Sequence, residues 1–274
     1  MTSADPHLST VLELLPRTRE IAIGYFHARP GALGTQDKGG GVRGAFDPVT
    51  MADKEIEAVL RAGIAERWPG DRIVGEEDGI SGRADAERSW FVDPIDGTKA
   101  FFSGMAGWGT LIGAVEDGRA VAGIMDQPVL GETYVGIDGG AEVLRRGLVV
   151  DAGVPARERL GVSPCEELGE AVCYSTHPTM FDGGEWNFAR LTESVRLQRY
   201  GGDCYAYCQL AAGRVDLVVE SQLNAHDIVA LIPIIEGAGG VIEGPDGSSP
   251  IAGGTVVAAA TPALAAQAWA ALRA

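Results

Sequence analysis

The stretch WFVDPIDGTKAFF, residues 90–102, decides how the rest of the chain is read. Trp90, Phe91 and Val92 form a short apolar run that fits a buried β-strand. The run leads directly into Asp93. Pro94 has no N–H to give to a ladder, so strand pairing is expected to stop there. Gly97 lacks a Cβ and permits a sharp turn, on which Asp96 and Thr98 sit. The strand therefore delivers two carboxylates and a hydroxyl to its C-terminal end. Two acids three residues apart on a rigid corner suit a hard cation such as Mg²⁺, which takes oxygen ligands. A strand end followed by an Asx-rich turn explains the same residues without a metal. The stretch alone leaves both explanations open.

Working toward the N-terminus, Arg72-Ile73-Val74 reads as a short strand followed by Gly75-Glu76-Glu77-Asp78-Gly79. Three adjacent acids repel one another and need either full solvation or a cation. Ligand sites in α/β proteins form at neighbouring strand ends. Glu76 and Glu77 at one such end would stand beside Asp93 and Asp96 at the next. Apolar positions Ile56, Val59, Leu60 and Ile64 predict a helix from Ala52 to about Trp68. Thr50 is its expected N-cap, with Asp53 at the third helical position in a capping-box pattern. Capping is a sufficient explanation for Thr50 and nearly so for Asp53. Residues 29–45 are rich in Gly, and Lys38 and Arg43 are the only cations there after Arg29. Such a segment is either a surface loop or a lid that brings a cation over an anion site. From Leu8 to His27 the spacing predicts a long first helix with a bend near Pro16.

Working toward the C-terminus, Trp108–Ala114, Ala120–Gln127 and Thr133–Ile137 read as strands, with a tight hairpin at Glu116-Asp117-Gly118. They form an antiparallel sheet with helices packed on it. Gly-rich turns and an isolated strand between Asp138 and Ala156 mark a boundary. It separates residues 1–145, helices plus an antiparallel sheet, from an α/β subdomain over 146–274. In that second part the expected strands are 171–176, 195–200, 215–220, 241–242 and 255–260. The expected helices are 187–194, 204–212, 227–237 and 262–273. Asp203 and Asp227 read as N-caps and Glu220 as a strand end, and none of the three supports a site by itself.

Composition narrows the function classes. A chain of 274 residues with 46% hydrophobic and 22% charged residues can bury a sizeable core. Its net charge of −16 argues against nucleic-acid and anionic-membrane partners. An anionic substrate would then need a local cation, which bound Mg²⁺ would provide. Cys165, Cys173, Cys204 and Cys208 have neither a disulfide-framework pattern nor zinc-ligand spacing. Met1 to Thr10 is polar, and no apolar run reaches membrane-spanning length. A reducing cytoplasm is the expected location.

Four segments together resemble the inositol monophosphatase family of Mg²⁺-dependent, lithium-sensitive phosphatases. They are DPVTMAD at 47–53, GEE at 75–77, WFVDPIDGTKAF at 90–101 and HDIVALIPIIEGAGG at 226–240. The last departs from the family pattern, with His226 where Trp usually precedes the Asp. The resemblance implies a five-layer α/β/α/β/α sandwich of the inositol monophosphatase and fructose-1,6-bisphosphatase type. It implies that Glu76, Asp93 and the Ile95 carbonyl hold one Mg²⁺. Asp93, Asp96 and Asp227 would hold a second, and Glu76 and Glu77 a weaker third, with Mn²⁺ as a substitute. Thr98 would orient the attacking water with Asp53 accepting from its hydroxyl, and Gly97 and Thr98 would face the phosphate. Lys38 is the expected lid lysine, with Arg43 as its competitor. The family implies a phosphomonoester substrate, direct attack by a metal-activated water and a homodimer.

Three further segments resemble the family's bacterial histidinol-phosphatase branch: 126–136 (DQPVLGETYVG), 175–181 (STHPTMF) and 199–220. In that branch the substrate carries an amino group and an imidazole beside its phosphate. Asp203 and Glu220 would pair with those cationic groups. The expected function is hydrolysis of L-histidinol phosphate in histidine biosynthesis. The alternatives are an inositol-1-phosphate or broad sugar-phosphate phosphatase and a metal-dependent phosphate-binding protein without turnover.

Overall fold

The computed structural model describes residues 6–28, 34, 36–37, 48–137, 139–154 and 156–274. Chain order begins with α1 (Pro6–Phe26) and the paired strands β1 (Gln36–Asp37) and β2 (Pro48–Val49). It continues with α2 (Met51–Arg67), β3 (Arg72–Gly75), β4 (Gly79–Gly82), β5 (Arg88–Asp96) and α3 (Thr98–Phe102). Next come β6 (Gly109–Glu116), β7 (Arg119–Gln127), β8 (Glu132–Ile137), β9 (Gly140–Arg145), α4 (Leu148–Asp151) and β10 (Arg157–Arg159). The remainder begins with β11 (Val172–Ser175), α5 (Phe188–Ser194), β12 (Leu197–Tyr200), α6 (Asp203–Ala211) and β13 (Leu217–Leu223). It ends with α7 (Ala225–Ile228), α8 (Leu231–Gly237), β14 (Val241–Glu243), β15 (Gly254–Ala259) and α9 (Pro262–Arg273). No described helix is long and apolar enough to cross a membrane.

Two sheets organise these elements. The first has eight strands in the order β10-β9-β8-β7-β6-β5-β3-β4, antiparallel throughout except for the parallel pair β3 and β5. The second has five strands in the order β12-β11-β13-β15-β14. Strand alternation separates their faces. Ile112, Ile124 and Val135 point into a core shared with α1 and α2, while their neighbours Leu111, Met125 and Tyr134 point the other way. That second core also takes α6, α8 and one face of the five-stranded sheet, through Val218, Val256 and Ala258. Leu217, Val219, Val257 and Ala259 face α5 and α9 on the far side. The result is the expected five-layer α/β/α/β/α sandwich.

A row of glycines fixes the central layer. Gly113, Gly123 and Gly136 are cross-strand neighbours on β6, β7 and β8. A Cβ at Gly123 would stand 1.9 Å from the Ala230 carbonyl oxygen, and one at Gly136 would stand 2.3 Å from the Ile234 nitrogen. The junction of α7 and α8 therefore lies directly on the sheet backbone, which seats α7 against β5 and β6.

Four expectations need correction. Strand β5 does not end at Pro94. Asp93 pairs with Leu111, the register shifts, and pairing resumes at Asp96 opposite Gly109. A bulge takes the missing proline donor out of the ladder, and the Pro94 carbonyl accepts from the Thr110 hydroxyl at 2.8 Å. The strand expected to stand alone between residues 138 and 156 is β9, paired on one side with β8 and on the other with β10. Strand β4 joins the sheet where no strand is expected; its exposed Gly-Ile-Ser-Gly sequence carries no burial pattern. The helix expected over 227–237 is two helices. Pro233 has no N–H for the Val229 carbonyl and its ring crowds that oxygen, so the helix breaks at 229–230.

Candidate active site

Strand β5 carries Asp93 and Asp96 to one end of the eight-stranded sheet. Asp93 is only 2% exposed. Gly97, at φ 81°, turns the chain immediately into α3. Asp227 arrives on α7 from the glycine-lined side of the sheet. Asn224 is the N-cap of α7 and Asp227 occupies the third helical position, not the cap position expected from sequence. One Asp227 carboxylate oxygen, Oδ2, accepts from the Asn224 N–H at 2.6 Å. The other, Oδ1, stands 3.4 Å from His226 Nε2. One oxygen from each of Asp93, Asp96 and Asp227 lies within 4.8 Å of the others.

Glu76 joins from the neighbouring strand end. Its backbone N–H donates to the Val92 carbonyl at 3.1 Å, which sets it beside Asp93. Burial pushes the Asp93 carboxyl well above the usual carboxylate range, and the charges of Glu76, Asp96 and Asp227 add to that. Asp96 is raised by burial and then by Asp203 and Asp227. Asp227 is raised chiefly by burial, with His226 and Asn224 opposing. Asp93 Oδ1 is buried without a hydrogen-bond partner. An orphaned buried acceptor amid mutually repelling carboxylates, with oxygen as the only donor type, fits a hard divalent cation. Asp93, Asp96 and Asp227 could hold one, with Glu76 beside them.

Thr98 and Asp53 are not hydrogen-bonded to each other as expected. The Thr98 hydroxyl donates to the Ile95 carbonyl at 3.0 Å. Asp53 Oδ2 accepts from the Thr50 N–H at 2.7 Å and from its hydroxyl at 2.6 Å. The capping box therefore occupies one Asp53 oxygen and leaves Oδ1 buried and unpartnered. Burial raises Asp53 to about 7, and the charges of Glu77 and Glu76 push the same way. Lys38 and Arg43 lie outside the described residues.

A second group of acids adjoins the first. Asp203 is not the N-cap of α6. Gly202 holds that position and Asp203 begins the helix at φ 43°, a left-handed conformation that Asp tolerates better than most residues. The α6 terminus is satisfied from across the molecule, by Asp96 Oδ2 accepting from the Cys204 N–H at 2.7 Å. Asp203 lies over Gly97, where a Cβ would meet the Asp203 Cβ at 3.0 Å. Glu220 is buried on β13. Its Oε1 accepts from the Thr176 N–H at 2.9 Å and hydroxyl at 2.5 Å, and its Oε2 from the Tyr207 hydroxyl at 3.0 Å. The Thr176 hydroxyl also lies 3.5 Å from Asp203 Oδ1. Burial raises Asp203 to about 6 and Glu220 to about 7, against the opposing effect of their Thr176 hydrogen bonds.

Sequence reasoning missed Thr176, Tyr207 and Glu57. Nothing local marks the first two. Glu57 had a signal: it falls on the α2 face that buries Ala52, Asp53, Ile56, Leu60 and Ile64, where an acid is out of place.

The sequence model of the inositol monophosphatase family matches residues 7–274. This chain belongs to the inositol monophosphatase family. Members of the family are Mg²⁺-dependent phosphatases, and the Asp93–Asp96–Asp227 cluster suits that ion. Among curated relatives, the chloroplastic bifunctional phosphatase IMPL2 of Arabidopsis thaliana is 39% identical over 199 residues. That match spans 72% of this chain and 54% of the plant protein, about half its length. The histidinol-phosphatase of Mycobacterium tuberculosis is 35% identical over 77% of this chain and 79% of its own. Among solved structures, an inositol monophosphatase from Zymomonas mobilis superposes with a TM-score of 0.79. It is 33% identical and covers 97% of this family member and 96% of its own chain.

Proposed function

We propose that the protein hydrolyses L-histidinol phosphate to L-histidinol and phosphate. Asp203 on α6 stands beside Asp96 at the rim of the carboxylate cluster, and the Thr176 hydroxyl links it to Glu220 on β13; this arrangement carries the reading. A phosphomonoester seated with its phosphate at the cluster would extend its leaving group over Gly97 toward those two acids. A leaving group bearing an ammonium and an imidazole would meet charge-assisted acceptors there. The match to the Mycobacterium tuberculosis histidinol-phosphatase supports the same substrate. An inositol phosphate is the second candidate, favoured by the comparable identity of the Zymomonas mobilis inositol monophosphatase.

Asp93, Asp96 and Asp227 would hold Mg²⁺ together with Glu76, with the Ile95 carbonyl and Glu77 as further ligands. Bound Mg²⁺ supplies neutralisation of the phosphate charge and makes a water more acidic. The chain's own residues do the rest by positioning and electrostatics. Thr98, held by the Ile95 carbonyl, presents its hydroxyl oxygen as an acceptor that orients the attacking water. The unpartnered, buried Oδ1 of Asp53 lies near Glu76 and Glu77 and is an acceptor available for a proton. Thr176 and Tyr207 hold Glu220 still, so the leaving group meets a fixed acceptor.

The test is phosphate release from histidinol phosphate, inositol 1-phosphate, fructose 1,6-bisphosphate and adenosine 3′,5′-bisphosphate, each with Mg²⁺ and with EDTA. Mg²⁺-dependent release with histidinol phosphate strongly preferred is expected. Comparable rates on all four would remove the histidinol assignment, and no release from any would remove hydrolysis itself.

A further inference from the structure

Glu57 sits inside the fold, fully buried on α2, yet its carboxylate is committed to the acidic turn after β3. Glu57 Oε2 accepts from the Glu77 N–H at 2.8 Å, and Oε1 accepts from the Asp78 N–H at 2.9 Å. Arg61, one helical turn on, donates its Nε to Glu57 Oε1 at 2.7 Å. The same guanidinium donates to the Ser81 hydroxyl and the Gly79 carbonyl on β4. The preceding amide, Glu76 N–H, is held by Val92 on β5. Three successive N–H groups of the turn are therefore anchored, one to the strand that carries Asp93 and two to a single carboxylate on α2. Gly75 makes room for this: a Cβ there would stand 2.2 Å from Glu57 Oε1.

We propose that Glu57 is a positioning residue for metal binding: it fixes the backbone of residues 76–78 so that Glu76 and Glu77 face Asp93 and Asp53. The proposal rests on the metal reading above. Glu57 itself is turned away from the cluster and bonded to backbone amides and Arg61, so it is not a ligand. The turn it holds carries three consecutive acids, Glu76, Glu77 and Asp78, whose repulsion would spread them in the absence of an anchor. A bidentate carboxylate counters that repulsion with two charge-assisted hydrogen bonds placed where water does not compete. Groups that orient metal ligands from behind typically govern affinity by about 10- to 100-fold.

The experiment is Mg²⁺ titration of the metal-free protein by calorimetry, with no substrate present, together with the Mg²⁺-induced rise in Tm. Glu57→Ala is expected to weaken Mg²⁺ binding about 10-fold or more. Glu57→Gln keeps the volume but turns an amide NH₂ toward an N–H donor, so an intermediate loss is expected even if the alanine variant folds poorly. In turnover, raised Mg²⁺ should restore kcat for both variants, because no group touching substrate has been removed. Thr261→Ala, which deletes the N-cap of α9 far from the turn, should lower Tm and leave Mg²⁺ affinity unchanged. Folded Glu57 variants that bind Mg²⁺ within about twofold of the parent, well short of the loss expected for such a group, would overturn the proposal. Asp93→Asn separates that failure from failure of the metal reading. If Asp93→Asn also binds Mg²⁺ normally, the metal reading falls; if it alone loses binding, only the role of Glu57 falls.

Discussion

At the scale of single residues, the site depends on carboxylates that serve the fold and the cluster at once. Asp96 caps α6 with Oδ2 while contributing an oxygen to the cluster. Asp227 closes the α7 capping box with Oδ2 and leaves Oδ1 beside His226. Asp93 has an oxygen with no hydrogen-bond partner. Asp93→Asn removes charge from the most buried of the three, and Mg²⁺-dependent turnover should fall by more than about 100-fold, beyond the effect typical of groups behind a ligand. Retained phosphate release would refute the metal assignment. Asp203→Asn should weaken histidinol phosphate far more than a neutral sugar phosphate, measured as kcat/KM on both. Equal losses would mean that Asp203 matters only as the first residue of α6.

At the scale of elements, the α7–α8 junction depends on the absence of side chains beneath it. Gly123→Ala would drive a methyl group into the Ala230 carbonyl, and the backbone would have to move. Such overpacking should destabilise the protein by about 3 kcal/mol, read as a lowered denaturation midpoint. It should also weaken Mg²⁺ binding, since Asp227 rides on α7. Backbone freedom rather than close approach governs the hairpin at Asp117-Gly118, where both residues have positive φ and the two-residue turn is legible from sequence. Helices α2 and α9 are equally legible, because apolar spacing and a local cap coincide at Thr50 and Thr261. The helix over 227–237 reads as one element because its apolar run masks the break imposed by Pro233. Strand β4 is not legible, because a short exposed strand bounded by glycines leaves no periodic signal.

At the scale of the whole molecule, a continuous group of buried acids makes the metal-free fold sensitive to pH. Asp53, Asp203 and Glu220 are raised to about 7, 6 and 7, from ordinary values of about 4. The folded protein therefore holds protons that the unfolded chain has released between about pH 4 and 7. Stability of the metal-free protein should fall as pH rises through that window and level off above it. Below about pH 4 these groups are protonated in both states and the penalty disappears. Under the proposed metal assignment, Mg²⁺ would favour the charged form of the cluster and should raise Tm more at about pH 8 than at about pH 5. An equal Mg²⁺ effect at both values, followed by calorimetry, would contradict this account.

The stretch at residues 90–102 by itself determined the presence of two acids at a strand end and a turn that only glycine makes easily. Local spacing determined most helices and strands, because periodicity and capping act within a few residues. Tertiary structure decided what those acids meet. Asp96 caps a helix 108 residues away, and Glu220 is held by Thr176 and Tyr207. Neither Asp96 nor Glu220 has a partner that its own neighbourhood in the sequence marks. Each pairing arises only when two sheets and the helices between them bury the same carboxylates and require a partner for every oxygen they can satisfy.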